Sequence, residues 1–396
     1  MSRNPYNKTL FAACMGYVVQ AVVVNFAPLL FVTFQSQYGL SLSQISFLLT
    51  LTFAVQLFGD LILPKFIYAA GQRAAAVAAN VAAALGLVLL VYLPEALPNA
   101  FAGILIAVGI YSLGSSMIEV LISPLVEACP FDKKSSTMSF LHSFYCWGSV
   151  LTVGLSTVYF VLVGVEHWKW LSLLWAIVPV VDGILFLKVP LASLPTDENG
   201  RQASLPSLIK QPVVWALLLL MTAGGAAELA VSQWASAFAE AALHVKKTVG
   251  DLLGPMLFAV LMGASRLFYA LFSDKIRLFR FMLTCAVVCV VAFLLIALSP
   301  WPLVGLLACG LVGFCVGMFW PGSLSLGAGR LPFGGTALFS LMAAFGDVGC
   351  AIGPVTVGFA ADALGGNLSY GMLCATIFPV LAGISILILR KPKPKK

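Results

Sequence analysis

Charged residues are scarce in this chain of 396 residues, where Asp, Glu, Lys and Arg together make up 9% of the sequence. Soluble domains carry about 25% charged residues, so the composition excludes an ordinary soluble protein. Apolar residues make up 61% of the chain, and the mean hydropathy is +1.03. Most of the chain is therefore expected to lie in a lipid bilayer.

The sequence also lacks the usual signatures of catalysis and metal binding. Its nine Cys residues form no CxxC pair, and Cys285 and Cys289, which share a helix face, have no His or acidic neighbours. Packing is therefore favoured over metal binding for these thiols. There is no phosphate-cradling loop and no nucleophile elbow. These absences argue against an enzyme and against ATP-driven pumping, and we expect no cofactor and no metal.

Twelve apolar runs are long enough to cross a bilayer as helices. They lie at about 8–37, 43–69, 74–93, 100–127, 137–164, 168–190, 212–241, 250–272, 280–299, 302–329, 334–363 and 368–389. We predict an all-α membrane protein of twelve transmembrane helices in two six-helix bundles related by a pseudo-twofold. The bundles are expected at 1–190 and 212–396, joined by a polar linker at 191–211, and the second ends in a basic tail.

The positive charge of the chain, +7 at neutral pH, is distributed unevenly between the predicted loops. With the first helix running outward, 18 of the 22 Lys and Arg residues fall on the inner side and three on the outer side. This asymmetry follows the positive-inside rule. It predicts a multi-pass protein of the plasma membrane with both termini and the linker in the cytoplasm, and it argues against nucleic acid as the partner.

The two halves share an internal repeat. Gln20, Asn25 and Phe26 align with Glu228, Gln233 and Trp234 at a shift of 208 positions. Further matches at shifts of 210 and 201 pair the segment Gln56–Lys65 with Arg266–Lys275, Gly109 and Met117 with Gly310 and Met318, and Ser139, Phe144 and Gly148 with Ser340, Phe345 and Gly349. Repeated six-helix halves are typical of transporters whose binding site lies near the membrane midplane.

Three acidic residues within the predicted spans are candidates for function, because a charge there costs roughly 2.5–3.5 kcal/mol on insertion scales. Glu119 belongs to a polar stripe of Ser and Glu residues at helical spacing, and it either partners an Arg or His or takes up a proton for coupling. Glu228 suits substrate binding or proton coupling. Asp347 either contacts the substrate or pairs with Arg266, and the sequence leaves both open.

A polar site with aromatic walls suits a sugar, because its C–H faces stack on aromatic rings and its hydroxyls need amides and carboxylates. Helix packing is the alternative role for each internal Trp. The predicted substrate-binding residues are Gln20, Asn25, Ser116, Tyr145, Trp147, Glu228, Gln233, Trp234, Trp320 and Asp347.

With these motifs in view, the chain resembles the major facilitator superfamily over nearly its whole length. Its loop signature is matched in part by Gly59-Asp60 and Gly71-Gln72-Arg73, and more fully in the second half by Arg266, Asp274-Lys275 and Arg280. The resemblance implies a gating or loop role for Asp60, Arg73, Arg266, Asp274 and Lys275. The fifth span has Trp147-Gly-Ser-Val-Leu-Thr152 in place of the Gly-Pro signature of drug:proton antiporters.

Within the superfamily, the chain is most similar to the fucose permease-like sugar:proton symporters. The motifs are Glu119-x-x-x-Ser123-Pro124, Glu228 followed by Ser232-Gln233-Trp234, Phe319-Trp-Pro-Gly-Ser-Leu-Ser325, Phe345-Gly-Asp-Val-Gly and Ala361-Asp362. The family's fourth-helix acid, implicated in proton coupling, corresponds to Glu119. Its first-helix acid is replaced by Asn25, which cannot titrate, so Glu228 is a second candidate for proton coupling.

We therefore expect a secondary transporter that moves a monosaccharide or similar solute by alternating access, coupled to protons and functioning as a monomer. Three alternatives stay open. They are a proton-independent facilitator of the same solute, an exporter of amphipathic compounds, and a membrane receptor that does not transport.

Overall fold

A computed structural model of the chain describes residues 4–194, 203–236, 247–365 and 368–390. The chain divides into an N-terminal unit, Met1–Pro130 with Phe144–Leu194, and a C-terminal unit, Phe131–Ser143 with Pro195–Lys396. Within the described residues the regular structure is helical and contains no strand. Helices satisfy their own backbone hydrogen bonds, as lipid requires.

The first seven helices lie within residues 7–188. They are α1 (Asn7–Phe26), α2 (Phe31–Tyr38), α3 (Leu42–Ala70), α4 (Gln72–Ala96), α5 (Ala100–Ala128), α6 (Lys134–Leu162) and α7 (Trp168–Lys188). A 3-10 turn, Ala27–Leu30, connects α1 to α2, and a second one, Val165–His167, precedes α7. Residues 134–143 of α6 belong to the C-terminal unit.

The remaining helices belong to the C-terminal unit. They are α8 (Leu205–Ile209), α9 (Pro212–Ser232), α10 (Lys247–Phe272), α11 (Leu278–Leu298), α12 (Pro302–Val316), α13 (Phe319–Arg330), α14 (Gly335–Ala363), α15 (Leu368–Ala375) and α16 (Ile377–Leu389). Counting broken helices as one, twelve spans are long and apolar enough to cross a membrane. The predicted all-α class with twelve spans is confirmed.

Parts of three predictions lie outside the described residues. The predicted seventh span reaches residue 241, whereas the description of this region stops at residue 236 and resumes at residue 247. The same holds for residues 195–202 of the predicted linker and for residues 391–396 of the basic tail. The boundaries of the two predicted domains stay a prediction.

The helix pairing within one unit recurs in the other. In the N-terminal unit α4 packs against α5 and α7, α5 also contacts α3 and α1, and α1 contacts α7. In the C-terminal unit α11 packs against α12 and α16, α12 contacts α10 and α9, and α9 contacts α16. Numbered from first to sixth within a unit, these five pairs of spans recur in both units. This agreement matches the internal sequence repeat.

Several spans are interrupted at positions that the sequence explains. The first span changes to a 3-10 turn at Ala27, and Pro28 lies inside that turn. Proline has no backbone N–H, so it cannot donate the helical hydrogen bond to the residue four positions earlier. The tenth span is broken between Val316 and Phe319, with Pro321 just beyond. Each break leaves backbone carbonyls that need other donors.

Several helix ends carry ordinary capping residues. Ser41 and Gln44 form a reciprocal capping box at the start of α3, and the side chain of Asn99 accepts hydrogen bonds from the first backbone N–H groups of α5. Gly39, at a φ of 67°, ends α2 in the left-handed conformation that glycine adopts without a Cβ clash. These caps position α3 and α5, which carry the principal polar cluster.

Candidate functional site

The principal polar cluster of the N-terminal unit surrounds Glu119. Gln20 Nε2 on α1 donates to Glu119 Oε2 at 2.8 Å, and Gln56 Nε2 on α3 donates to the same oxygen. Glu119 is 8% exposed. Three helices thus contribute to one hydrogen-bonded carboxyl group inside the span region. Gln56 was noted in the sequence only as part of the repeat, and its role as a partner of Glu119 was missed.

The polar stripe of α5 turns toward α1 and α3. Ser116 Oγ donates to the Gln56 carbonyl oxygen at 3.4 Å, and Ser123 Oγ lies 2.7 Å from the Tyr17 hydroxyl. Ser112 Oγ lies 3.4 Å from the Thr52 hydroxyl. These serines satisfy part of their hydrogen bonding across helix contacts, so the stripe faces protein and continues above and below Glu119.

Asn25 connects α1 to α6. Its Nδ2 atom donates to Ser149 Oγ at 3.1 Å and to the Ala21 carbonyl oxygen at 2.8 Å. One residue before Ser149, Gly148 allows close approach, because a Cβ there would lie 2.8 Å from Ala21 Cβ. Tyr145 and Trp147, on the same helix, are partly exposed. Asn25, Tyr145 and Trp147 thus lie on two contacting helices of one unit.

A second buried acid, which the sequence analysis overlooked, lies on α7. Asp182 Oδ2 accepts a hydrogen bond from Asn80 Nδ2 on α4 at 3.0 Å. Asp182 is 0% exposed and Asn80 is 1% exposed. The criterion that selected Glu119, an acidic residue inside a long apolar run, applies equally to Asp182 in the run at 168–190.

In the C-terminal unit, the buried side chain of Arg266 donates hydrogen bonds to two backbone carbonyls. Its Nε atom donates to the Gly317 carbonyl oxygen at 2.8 Å, and Nη1 donates to the His142 carbonyl oxygen at 2.8 Å. Pro321, four residues after Gly317, cannot donate to that carbonyl. Arg266 supplies the missing donor at the break between α12 and α13. The two alternatives for Asp347, contact with the substrate or pairing with Arg266, both stay predictions.

The predicted substrate-binding residues of the seventh span lie near the C-terminal end of α9. Glu228 is partly exposed on α9, and Gln233, just beyond the helix, is exposed. Trp234 is partly exposed, and its Nε1 atom is buried without an acceptor among the described residues. One turn and a half before Glu228, Thr222 Oγ1 donates to the Phe345 carbonyl oxygen on α14 at 2.9 Å.

Close packing of glycines joins α9 to α14. A Cβ on Gly349 would lie 2.1 Å from the Thr222 carbonyl oxygen, and one on Gly353 would lie 2.2 Å from the Ala226 carbonyl oxygen. Trp320 lies against Gly346, beside the buried Asp347, because a Cβ on Gly346 would be 2.6 Å from the indole ring. Gly148 and Gly349, which the repeat aligns, therefore both line a contact with the first span of their unit.

The residues expected to have a gating or loop role differ in their contacts and in their burial. Arg73 donates to the carbonyl oxygens of Phe186, Leu187 and Val189 at 2.6, 2.7 and 2.9 Å, and so caps the end of α7. Asp60 is buried on α3. Asp274 forms an exposed ion pair with Lys133, and the neighbouring Lys275 is exposed. Within the described part of the chain, no cluster of three His, Cys, Asp or Glu residues has the geometry of a metal site.

Comparisons with known proteins identify the family. The model of the Major Facilitator Superfamily matches residues 9–354. No curated protein matches the sequence.

Solved structures have the same fold. The E. coli fucose:proton symporter FucP has 15% sequence identity and a TM-score of 0.81, with 98% of this chain and 100% of that chain covered. The proton:xylose symporter XylE has 12% identity and a TM-score of 0.82, with 98% and 95% covered. The human organic anion transporter MFSD10 has 16% identity and a TM-score of 0.73, with 98% and 100% covered. The chain therefore belongs to the major facilitator superfamily and is a multi-pass membrane transporter, which confirms the family and the fold predicted from its sequence.

Proposed function

We propose that this transporter carries a small polar solute, best matched by a monosaccharide, and couples its movement to protons through Glu119. One observation carries the proposal: a carboxyl group inside a membrane span is held by amide donors from two other helices. An acid in this position is expensive to keep charged in lipid, and such groups mark substrate or proton pathways.

The hydrogen-bond pattern around Glu119 suits uptake and release of a proton. Gln20 and Gln56 both donate to Oε2 of this carboxyl group. None of the ion pairs among the described residues includes Glu119, so we assign the neutralisation of this carboxylate to a proton. Amides cannot titrate, so Gln20, Gln56 and Asn25 orient the carboxyl group and the solute while Glu119 carries the proton.

The composition of the candidate site favours a sugar. Gln20 and Asn25 supply amides on α1, and Tyr145 and Trp147 supply partly exposed rings on α6. Sugar hydroxyls pair with amides and carboxylates, and the C–H faces of the ring pack on aromatic side chains. The similarity in fold to fucose:proton and proton:xylose symporters supports the same choice.

We assign Glu228, Gln233, Trp234, Trp320 and Asp347 to solute binding from the C-terminal unit. Glu228 is partly exposed on α9, so it can offer a carboxylate to a solute hydroxyl. Trp234 and Trp320 are also partly exposed. Arg73 and Arg266 are assigned a supporting role, because both donate to backbone carbonyls at helix ends or breaks.

The test is uptake by the purified protein in liposomes. A panel of monosaccharides, sugar acids and nucleosides is offered with and without an inward proton gradient, and empty liposomes serve as the control. We expect uptake of a monosaccharide that the gradient accelerates. Equal uptake with and without the gradient would identify a facilitator, and binding without flux would identify a receptor. Either result would refute coupled transport.

A further inference from the structure

The pair formed by Asp182 and Asn80 has an unmet requirement for hydrogen-bond donors. The amide nitrogen of Asn80 uses both of its hydrogens, one for Asp182 Oδ2 at 3.0 Å and one for the Ala76 carbonyl oxygen at 3.1 Å. The other two oxygens, Asp182 Oδ1 and Asn80 Oδ1, are buried and have no donor among the described residues. Two acceptors thus lack a donor in a site closed to solvent.

None of the ion pairs among the described residues includes Asp182. The helices packed against α7 are α1 and α4, and α5 approaches the same point through Ile122. The bases on α1, α4 and α7 are Lys8, Arg73, Lys169 and Lys188. Lys169 pairs with Glu95, Arg73 binds the carbonyls at the end of α7, and Lys8 and Lys188 are exposed near helix ends.

The other titratable groups on these helices are acidic or neutral. Cys14 on α1 is a buried free thiol, and the hydroxyl of Tyr17 is hydrogen-bonded to Ser123 Oγ. The rest are Tyr92 and Glu95 on α4 and Tyr111, Glu119 and Glu127 on α5. A carboxylate that has no cation beside it, and whose second oxygen lacks a donor, is strongly disfavoured in an apolar interior. A proton on the carboxyl group removes this charge and supplies an O–H donor.

The pair lies close to the Glu119 cluster along the same helices. A Cβ on Gly16 would lie 3.5 Å from Asp182 Oδ2 and 2.1 Å from Ile122 Cδ1, so α1, α5 and α7 approach one another at Gly16. Gly16 is one turn before Gln20 on α1, and Ile122 is about one turn after Glu119 on α5. Residues one turn apart share a helix face.

We propose that Asp182 and Asn80 form a proton-binding site in the N-terminal unit, separate from Glu119. The ligand is a single proton. It forms an O–H bond with the Asp182 carboxylate and converts it into a neutral acid, and no other bond changes. This site does not depend on the solute or on coupled transport, so it can be tested without either.

Infrared difference spectroscopy of the full-length protein in lipid tests the proposal, because a protonated carboxyl group has a carbonyl band separate from those of carboxylates. We expect Asp182→Asn to lose one buried carboxylic-acid band that the wild type shows at neutral pH. Glu119→Gln should retain this band. Asp274→Asn, which alters an exposed acid, should also retain it.

Asn80→Ala provides a second readout that keeps the acid in place. Because it removes the donor to Asp182 Oδ2, the acid band should shift in frequency. The proposal is overturned if wild type and Asp182→Asn give the same acid bands at every pH, or if the Asn80→Ala band is unmoved. It is also overturned if sodium replaces the proton, so that the Asp182 signal follows sodium concentration and not pH.

Discussion

The two units pair their helices in the same order but use polar groups differently. In the N-terminal unit, amide side chains donate to buried acids: Gln20 and Gln56 donate to Glu119, and Asn80 donates to Asp182. In the C-terminal unit, the side chains of Arg266 and Thr222 donate to the backbone carbonyls of Gly317 and Phe345. The same helix pairs therefore carry acid–amide contacts in one unit and an arginine–carbonyl contact in the other.

This difference separates two tasks. Acids surrounded by amides can change their proton content without breaking the helices that carry them. An arginine that donates to the carbonyl of a broken helix stabilises the break through hydrogen bonds to the backbone. We therefore place proton coupling in the N-terminal unit and the stable helix break in the C-terminal unit, and we assign solute contacts to both.

The largest expected difference between the units is the loss of stability when a closely packed glycine is replaced by alanine. Gly349→Ala places a Cβ 2.1 Å from a backbone oxygen, whereas Gly148→Ala meets the Ala21 side chain at 2.8 Å. Overpacking costs roughly 1–3 kcal/mol and occasionally more, so Gly349→Ala should leave little folded protein and Gly148→Ala should lower the Tm. Thermal unfolding in detergent measures both.

Matched controls exist on the same two helices. Gly358 on α14 and Gly154 on α6 have no atom within 4 Å of a Cβ position, so Gly358→Ala and Gly154→Ala should unfold like the wild type. Equal stability of Gly349→Ala and Gly358→Ala would show that α9 and α14 are not in the close contact described.

The next largest difference is expected between the stabilities of the Arg266 and Arg73 variants. Arg266→Gln leaves the buried carbonyl of Gly317 without its donor, at about 1–3 kcal/mol, and removes a second hydrogen bond to the carbonyl of His142 inside α6. Arg73→Gln removes donors at a helix end, where a cation contributes about 0.3–1 kcal/mol, up to ~2 kcal/mol. The drop in Tm should therefore be larger for Arg266→Gln. A larger drop for Arg73→Gln would reverse the assignment of the stabilised break to the C-terminal unit.

Substitution of Glu228 tests whether this residue binds the solute or takes part in proton coupling. Glu228→Gln removes a charge-assisted hydrogen bond to the solute, worth about 1.5–3 kcal/mol, so the half-saturating concentration should rise roughly ten- to a hundredfold. Gradient-driven accumulation should persist at saturating solute. Glu166→Gln, an exposed acid, is the control. Loss of accumulation with unchanged half-saturation would transfer coupling to the C-terminal unit.

The smallest effects are expected at exposed ion pairs. The side chains of Lys133 and Asp274 are 54% and 64% exposed, and those of Lys169 and Glu95 are 28% and 55% exposed. Exposed pairs contribute about 0–1 kcal/mol. Lys133→Gln should change the Tm less than Lys169→Gln does, and added salt should reduce both changes. A Lys133→Gln effect comparable to that of Arg266→Gln would assign this pair a structural role.

The spans were predictable because a bilayer demands long apolar helices whose backbone is satisfied internally. The repeat also aligned Gly148 with Gly349, and both line a close helix contact. The partners of Arg73 and Arg266 were not predictable, since they are backbone carbonyls of residues 113 and 51 positions away. Nothing in the type of a residue records which distant carbonyl lacks a donor.

The candidate site likewise contains residues that the sequence predicted and residues that it did not. Glu119 stood out as an acid in an apolar run, and its amide partner Gln20 was a predicted site residue. Gln56 lies 63 positions from Glu119, and only the packing of α3 against α5 joins them. Asp182 was missed although it met the criterion applied to Glu119, because its run held no polar stripe to draw attention to it.

The most direct test compares accumulation with exchange in liposomes holding Glu119→Gln. A membrane potential of 100 mV is equivalent to about 2.3 kcal/mol per charge, or a solute ratio of about fifty, for one proton per solute. We predict that the wild type accumulates the solute against its gradient, whereas Glu119→Gln exchanges labelled for unlabelled solute at a comparable rate and accumulates none. Accumulation by Glu119→Gln equal to that of the wild type would contradict proton coupling at this residue.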